Sequence, residues 1–530
     1  MAETTHAADP SVLGGKGAPA ADADASLNLF AFGREEIRVL HYTWIAFFIT
    51  FYVWFNMAPL ATTMLSQMGW MTPEHIKVLA ISNVALTIPA RIVVGALVDR
   101  YGPRIVYALL MCVMAIPAFA FAFGDSFVQL LVARLVLSGI GAGFVIGIRM
   151  TGQWFPPKMI GRAEGIYAGW GNFGSAAAAM TLPWIASSLI GGANGWRYAL
   201  AANAVFCFLY GIFYYVVARD VPKGGATKSY HFVKAKRAGP MEVSSYGDLV
   251  QYIVWTIPLI GALGVLAWRV GGIILEKGTP NAHPLVPPTI INITYVALGV
   301  ILVMQIAWIL RVNLPLLRQG VPEEEKYHWG SVAALNSTYF ANFGAELAVV
   351  SMLPMFFEKV FSMNPTIAGL IAASFAFVNL FARPLGGYLS DKLGSRKRIM
   401  LVYMAGIALG FLGMAMISKY DGGNAYGLAP MFEGAWWVVA AVTITIVCSV
   451  FVQGAEGATF AFVPLIKKKM QGQVAGMAGA YGNVGAVLYL VIYSLVDDKL
   501  FFFIIAGGAA VSLLFCALML REPKGAFSDE

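Results

Sequence analysis

Residues Gly161–Gly174 read GRAEGIYAGWGNFG, and the fold of the whole chain turns on what this stretch is for. It lies in an apolar segment, yet it carries five glycines and one asparagine, Asn172. Glycine costs about 1 kcal/mol per helical position relative to alanine, so this density needs a reason. One reason is close helix packing in a membrane through small-xxx-small contacts. The other is that bare backbone and one amide side chain line a path for a small polar solute.

The surrounding sequence sets the solvent. Of 530 residues, 59% are hydrophobic and 12% charged, and the mean hydropathy of +0.71 lies well outside soluble norms. Apolar runs long enough to cross a ~30 Å hydrocarbon core recur throughout, so the chain reads as an all-α polytopic membrane protein. The first 33 residues, rich in Ala, Gly, Pro and Asp, read as a disordered cytoplasmic tail without a signal peptide. Cys112, Cys207, Cys448 and Cys516 sit in apolar segments without CxxC spacing and read as small core residues. No metal or cofactor is implied. The net charge of +8 sums over loops and does not indicate nucleic acid.

Six spans are expected in a first block, at about 40–65, 76–98, 104–124, 127–150, 162–190 and 196–218. A second six follow at about 329–357, 366–390, 398–418, 434–456, 470–496 and 500–520. Two further apolar runs, at about 250–275 and 289–311, lie between them. The expected organisation is a tail over 1–33, a six-helix half over 34–220, a central linker over 221–328, a second half over 329–521 and a tail over 522–530. Lys and Arg gather in alternate loops: DRYGPR (Asp99–Arg104), the 219–237 segment, SDKLGSRKR (Ser390–Arg398) and Lys467–Lys469. By the positive-inside rule, these loops and both termini are cytoplasmic, in a cell (inner) membrane. Fourteen spans result; a twelve-span version with the central pair on the surface keeps the same sidedness.

The two blocks repeat. At one offset of 292, Arg91 maps to Arg383, Gly95 to Gly387, Asp99 to Asp391 and Gly102 to Gly394. At an offset of 311, Gly161, Gly165, Gly171, Asn172 and Gly174 match Gly472, Gly476, Gly482, Asn483 and Gly485. Repeated halves with a substrate site at their midplane interface are a transporter architecture. Arg91 lies eight residues before Asp99, ~12 Å into the membrane at ~1.5 Å per residue, where a bare arginine costs from ~2.5 kcal/mol upward. Arg383 has the same depth by the repeat. Two guanidinium forks facing one cavity suit bidentate contacts to a small oxyanion; the alternative is that each pairs with an acid or caps carbonyls. Asn172 and Asn483 can donate amide hydrogens, and Gly171 and Gly482 let backbone approach.

The loops Asp99, Arg100, Gly102 and Asp391, Lys392, Gly394 resemble the cytoplasmic gating-loop motif of the major facilitator superfamily, and Arg134 in RLVLSGIGAG resembles its fourth-span arginine motif. Within it, AGWGNFG (Ala168–Gly174) and GAYGNVG (Gly479–Gly485) resemble the paired signature of the nitrate/nitrite porter family. AEGATFAFVP (Ala455–Pro464), FGAELA (Phe343–Ala348) and IAASFAFVNLFARPLGGYLSD (Ile371–Asp391) are most similar to its plant and cyanobacterial-type branch. The resemblance implies two pseudosymmetric six-helix halves, here with two extra central helices, and nitrate held between Arg91 and Arg383. It also implies a sandwich of aromatic rings, which maps onto Tyr339, Phe343 and Phe144.

Coupling would need carboxylates, because no histidine lies deep in a span. Glu346 and Glu456 sit within apolar segments, either as proton carriers or in ion pairs with Arg134 or Arg149. Arg149 itself is a gate element, a counterion for those acids, or a snorkelling residue. Arg162 and Glu164 are expected at the interface. The chain therefore reads as an alternating-access carrier of nitrate or nitrite, importing nitrate with protons as a monomer in the bilayer. Nitrate/nitrite exchange, a carrier of another small anion or of drugs, and a non-transporting sensor are the alternatives. No phosphate loop, metal cluster or nucleophile constellation suggests an enzyme.

Overall fold

The computed structural model describes residues 27–221, 239–272, 284–363, 365–393, 395–423 and 426–522. Gly394, most of the expected N-terminal tail and nearly all of the expected C-terminal tail lie outside the described residues.

Helix ends follow local chemistry. α1 (Glu35–Trp54) opens with Glu35 and Glu36 at its positive end. The short α2 (Ala61–Gln67) leads to α3 (Pro73–Ala85) and α4 (Thr87–Tyr101). α4 stops at Gly102, whose φ of 90° favours glycine, and Pro103 starts α5 (Pro103–Ala122). A side chain on Gly102 would also strike the carboxylate of Asp220 at 2.6 Å, so both backbone and space demand glycine there. The Ser126–Gln129 capping box starts α6 (Phe127–Leu137), which runs through a 3₁₀ turn into α7 (Gly143–Trp154). α8 (Pro157–Trp184) and α9 (Gly195–Val217) complete the first six passes.

The central apolar runs are full helices, α10 (Tyr246–Gly271) and α11 (Pro288–Gln319). The second block comprises α12 (Trp329–Val360), α13 (Pro365–Phe377), α14 (Asn379–Lys392), α15 (Arg396–Met416), α16 (Ala435–Ile466), α17 (Gln471–Tyr493) and α18 (Asp498–Met519). A two-stranded ribbon, β1 (Ser418–Tyr420) and β2 (Leu428–Pro430), joins α15 to α16.

Thirteen helical stretches among the described residues are long and apolar enough to cross a bilayer, α10 and α11 included. The remaining expected span is α12, 32 residues long. Its middle turns carry Asn336, Ser337, Thr338, Asn342 and Glu346.

Two features of the fold position the site. The second pass of each block is broken just before its arginine, at Leu86 and at Val378, again 292 residues apart. The glycines of the opening stretch and its echo then bring the blocks together, α8 against α14 and α17 against α4. A methyl on Gly387 would meet the carbonyl of Gly161, and one on Gly95 that of Gly472. Only glycine lets those backbones approach. α10 docks on the second block: its Arg269 donates to Ser494 at 2.7 Å, and Trp255 packs edge-on against Phe515.

Candidate functional site

Four ionisable side chains meet in the buried core between α4, α12, α14 and α16. Arg91 and Arg383 are fully buried. Arg91 donates to the carbonyl oxygens of Gly479 at 2.6 Å and Gly141 at 3.1 Å, and its Nη2 has no protein acceptor. Arg383 donates to the Tyr339 hydroxyl at 3.0 Å, while its Nη1 lies 2.5 Å from Glu456 Oε2. That last contact is ionic and poorly aligned as a hydrogen bond, and Arg383 Nε has no acceptor at all. The Tyr339 hydroxyl also interacts with Arg91, so it stands between the two guanidinium groups.

Aromatic rings line the arginines. Tyr339 stacks on Phe343 at 4.9 Å and 6° between planes, and on Phe144 at 5.9 Å and 11°. The guanidinium of Arg91 lies 5.2 Å from the Phe144 ring centre and 5.0 Å from that of Phe343; Arg383 lies 5.2 Å from Phe144. Phe460 meets both Phe144 and Tyr339 edge-on, at 4.5 and 4.7 Å. The faces of desolvated rings attract cations by about 2 kcal/mol or more, which offsets part of the cost of burying two like charges.

The paired Gly-Asn stretches reach this centre unequally. A methyl on Gly482 would lie 2.6 Å from the Tyr339 ring and 2.7 Å from Phe343. Asn483 donates to the Gly479 carbonyl at 3.2 Å, the acceptor that Arg91 also uses, and its Oδ1 is unbonded. Gly171 instead packs on Phe47, which stacks on Tyr167 at 5.0 Å. Asn172 is buried with neither amide atom bonded to protein. Among the described residues the centre thus holds two donors without protein acceptors, Arg91 Nη2 and Arg383 Nε, and α8 adds the unbonded Asn172 Nδ2. Such groups cost ~1–3 kcal/mol each when left unmade, more when charged, and together they suit an acceptor-only ligand.

Glu346 and Glu456 both belong to the site, with partners other than those expected. Glu456 pairs with Arg383, not with Arg134 or Arg149. Glu346 accepts from Asn379 Nδ2 at 2.5 Å and lies beside Glu456. Arg134 is engaged elsewhere, by Asn56 Oδ1 and the Trp54 carbonyl, each at 3.0 Å. Arg149 lies 3.3 Å from Asp99 and donates to Gln471 at 2.9 Å, so it is no counterion for the deep glutamates. It lies midway along α7, and the carboxylate beside it is that of Asp99. Glu164, expected at the membrane interface, has a side chain buried within the protein, 1% exposed.

Around Asp99 the blocks are joined. Its carboxylate accepts from the backbone N–H of Gly472 at 3.1 Å and Gln473 at 3.0 Å, at the first turn of α17. The positive end of that helix attracts the anion. Arg162 crosses to the Tyr388 ring, 5.1 Å away, and Lys392 lies over the same ring at 5.5 Å. Arg100 is exposed against Tyr101, and Asp391 falls in the last turn of α14.

Sequence reasoning missed Phe460, the Gly141 and Gly479 carbonyls, Asn379 and Gln471. Gly479 opens the echoed stretch and Phe460 lies in AEGATFAFVP, so both sat inside quoted motifs. Asn379 likewise lies inside IAASFAFVNLFARPLGGYLSD, and nothing local to Gln471 marks it.

Two six-pass blocks joined around buried ionisable groups define the class: a multi-pass membrane carrier with its site between repeated halves. The chain matches the Major Facilitator Superfamily profile over residues 43–321 and 335–529, and it belongs to that family. A nitrate/nitrite transporter, NrtP, of Nostoc punctiforme is 42% identical over 505 residues, spanning 94% of this chain and 95% of that protein. NrtP of Picosynechococcus is 40% identical over 93% of this chain and 94% of the relative. High-affinity nitrate transporter 2.3 of rice is 25% identical over 88% and 73%. Among solved structures, the proton:xylose symporter XylE superposes with a TM-score of 0.55 at 13% identity, covering 92% of this chain and 97% of that one. The likeness is one of fold.

Proposed function

We propose that this carrier moves nitrate, and nitrite with it, by alternating access, importing nitrate together with protons. The observation that carries the reading is the pair of fully buried arginines, Arg91 and Arg383, at repeated positions with the Tyr339 hydroxyl between them. A small planar oxyanion offers only acceptors, which is what Arg91 Nη2, Arg383 Nε and Asn172 Nδ2 lack. Its flat face suits the near-parallel rings of Phe144 and Tyr339. Those rings lie 5.9 Å apart, and a sandwiched ion needs ~7 Å at ~3.5 Å per contact. Phe144 belongs to the first block and Tyr339 to the second, so the halves part slightly as the ion enters. Its 40–42% identity to two nitrate/nitrite transporters supports the same substrate class.

In this reading residues 34–220 and 329–521 are the rocking halves, and 221–328 carries the two extra helices, which travel with the second half through Arg269 and Trp255. The basic loops and both tails, 1–33 and 522–530, face the cytoplasm from a cell (inner) membrane. The protein works as a monomer, since each half supplies one arginine. Asp99, Arg100, Gly102, Asp391, Lys392 and Gly394 form the two cytoplasmic gating loops, with Asp99 and Arg149 closing that side.

The test is nitrate uptake into proteoliposomes with competing anions. Nitrite should compete, whereas acetate and sulfate should not. A proton gradient, acid outside, should drive accumulation. Uptake indifferent to that gradient but stimulated by internal nitrite would replace symport by exchange, and uptake blocked equally by acetate would replace the substrate.

A further inference from the structure

Arg383 already holds an anion. Glu456 Oε2 lies 2.5 Å from its Nη1, and both side chains are fully buried. Arg91 has no such partner: it is bonded to two carbonyl oxygens and keeps Nη2 open. The two arginines share a depth and a repeat position but differ in charge balance. Resting on the oxyanion-carrier reading, we infer that Glu456 is a built-in counter-anion that the substrate displaces from Arg383. The displaced carboxylate takes up a proton beside Glu346, so one proton enters with each monovalent anion.

The charges fix this stoichiometry. Glu346 and Glu456 lie side by side, and two buried carboxyl groups so placed favour a single negative charge between them. Asn379 donates to Glu346 Oε1 at 2.5 Å, and the carboxyl pair as a whole holds that single proton. With that proton in place, two arginines and one carboxylate give the core a charge of +1. An anion that took Arg383 without a proton would leave Glu456 buried and unpaired, which is strongly unfavourable. An anion that arrives with a proton leaves two neutral carboxyls, two arginines and itself, again +1. On release the proton leaves Glu456, and the Glu456–Arg383 pair re-forms.

The groups around Glu456 fit. Arg383 faces it from α14, Glu346 and Tyr339 from α12, and Arg91 from α4. α8 brings Tyr167, which donates to the Gly143 and Phe144 carbonyls and lies toward Arg383. From α15, Tyr403 packs on Gly454, and Arg396 donates to the Ala461 carbonyl. Arg383 is thus the cation in direct contact with Glu456, and Glu346 the facing acid.

The experiment measures nitrate binding to the purified full-length protein by titration calorimetry, in mildly acidic and mildly alkaline buffer. The wild type should bind more weakly as pH rises, approaching tenfold per pH unit where one proton is linked. Glu456→Gln should bind at least tenfold more tightly than the wild type in alkaline buffer, with a flat pH profile and no proton uptake. Glu346→Gln should act oppositely: its amide can donate to the Glu456 carboxylate and hold it charged, so binding weakens. Both variants are checked for folding by thermal melting, and the Glu346→Gln result stands alone if Glu456→Gln does not fold. Weaker binding in Glu456→Gln, an unchanged slope in it, or tighter binding in Glu346→Gln overturns the displacement. A folded wild type that binds no nitrate at either pH overturns the carrier reading itself, and the displacement with it.

Discussion

Replacing Asp99 by asparagine should unlock the end of the molecule at which its carboxylate joins the two blocks. Asp99 is 2% exposed and spans both: it belongs to α4, and it accepts from the Gly472 and Gln473 N–H groups at 3.1 and 3.0 Å. Asparagine keeps the size but removes the charge. It turns two charge-assisted bonds into neutral ones, each weaker by ~1 kcal/mol, and its amide nitrogen meets one of the N–H donors head on. Arg149, 3.3 Å away, loses that carboxylate while keeping Gln471; breaking one partner of a buried ion pair costs ~3–5 kcal/mol. These effects overlap, so ~3–5 kcal/mol is the whole expectation. These contacts must break for that end to open, and at ~1.4 kcal/mol per tenfold the ratio of closed to open should fall by ~10²–10⁴. Spin labels at Ile105 and Leu393, both exposed near this end, would report the distance between the blocks by pulsed electron resonance. The expected result is a shift from a short to a long distance in the folded variant. An unchanged distance distribution would refute the claim that this carboxylate holds the end shut.

Two other perturbations bear on different links. Gly482→Ala places a methyl 2.6 Å from the Tyr339 ring, an overpacking of ~1–3 kcal/mol; transport should fall at least tenfold while the purified protein still melts cooperatively. Outside the membrane segments, Lys469 and then Lys467 hold the Glu325 carboxyl below the usual carboxylate range. The clamp therefore adds stability above the unfolded value of ~4.3 and loses it as pH falls through the lower folded value. The groups are partly exposed, so screening limits the gain to under ~1 kcal/mol. Glu325→Gln should melt slightly lower than wild type near neutrality, and the gap should close as the pH drops below about 4; a constant gap would contradict the clamp.

Much of the arrangement was legible because it is repeated. The offset of 292 carried Arg91 onto Arg383, and the helix breaks at Leu86 and Val378 keep the same spacing. The fourteen apolar runs were visible as length and hydropathy, and α10 and α11 form as helices where those runs lie. Partner choice was not legible. Glu456 could have met any of several arginines; only the packing of α16 on α14, residues 73 positions apart in sequence, selects Arg383. Arg149 is matched with Asp99 where α7 packs on α4, a pairing that no local periodicity encodes. The burial of Glu164 was not legible either, since it comes from the packing of α8 on α14 of the other block. Gly171 and Gly482 match by repeat and yet face different rings, since the second block supplies Tyr339 and Phe343 where the first supplies Phe47.

The central claim is that Arg91 and Arg383 together form one oxyanion site. Each contributes a planar fork: Arg91 uses Nε and Nη1 on carbonyls, and Arg383 uses Nη2 on Tyr339. Lysine keeps the charge and loses the fork. Initial rates of labelled nitrate uptake into proteoliposomes, for wild type, Arg91→Lys and Arg383→Lys reconstituted at equal density, give the most direct measurement. Saturable uptake by the wild type with loss of at least a hundredfold in each variant is the result expected. Full uptake by both lysine variants would contradict the account.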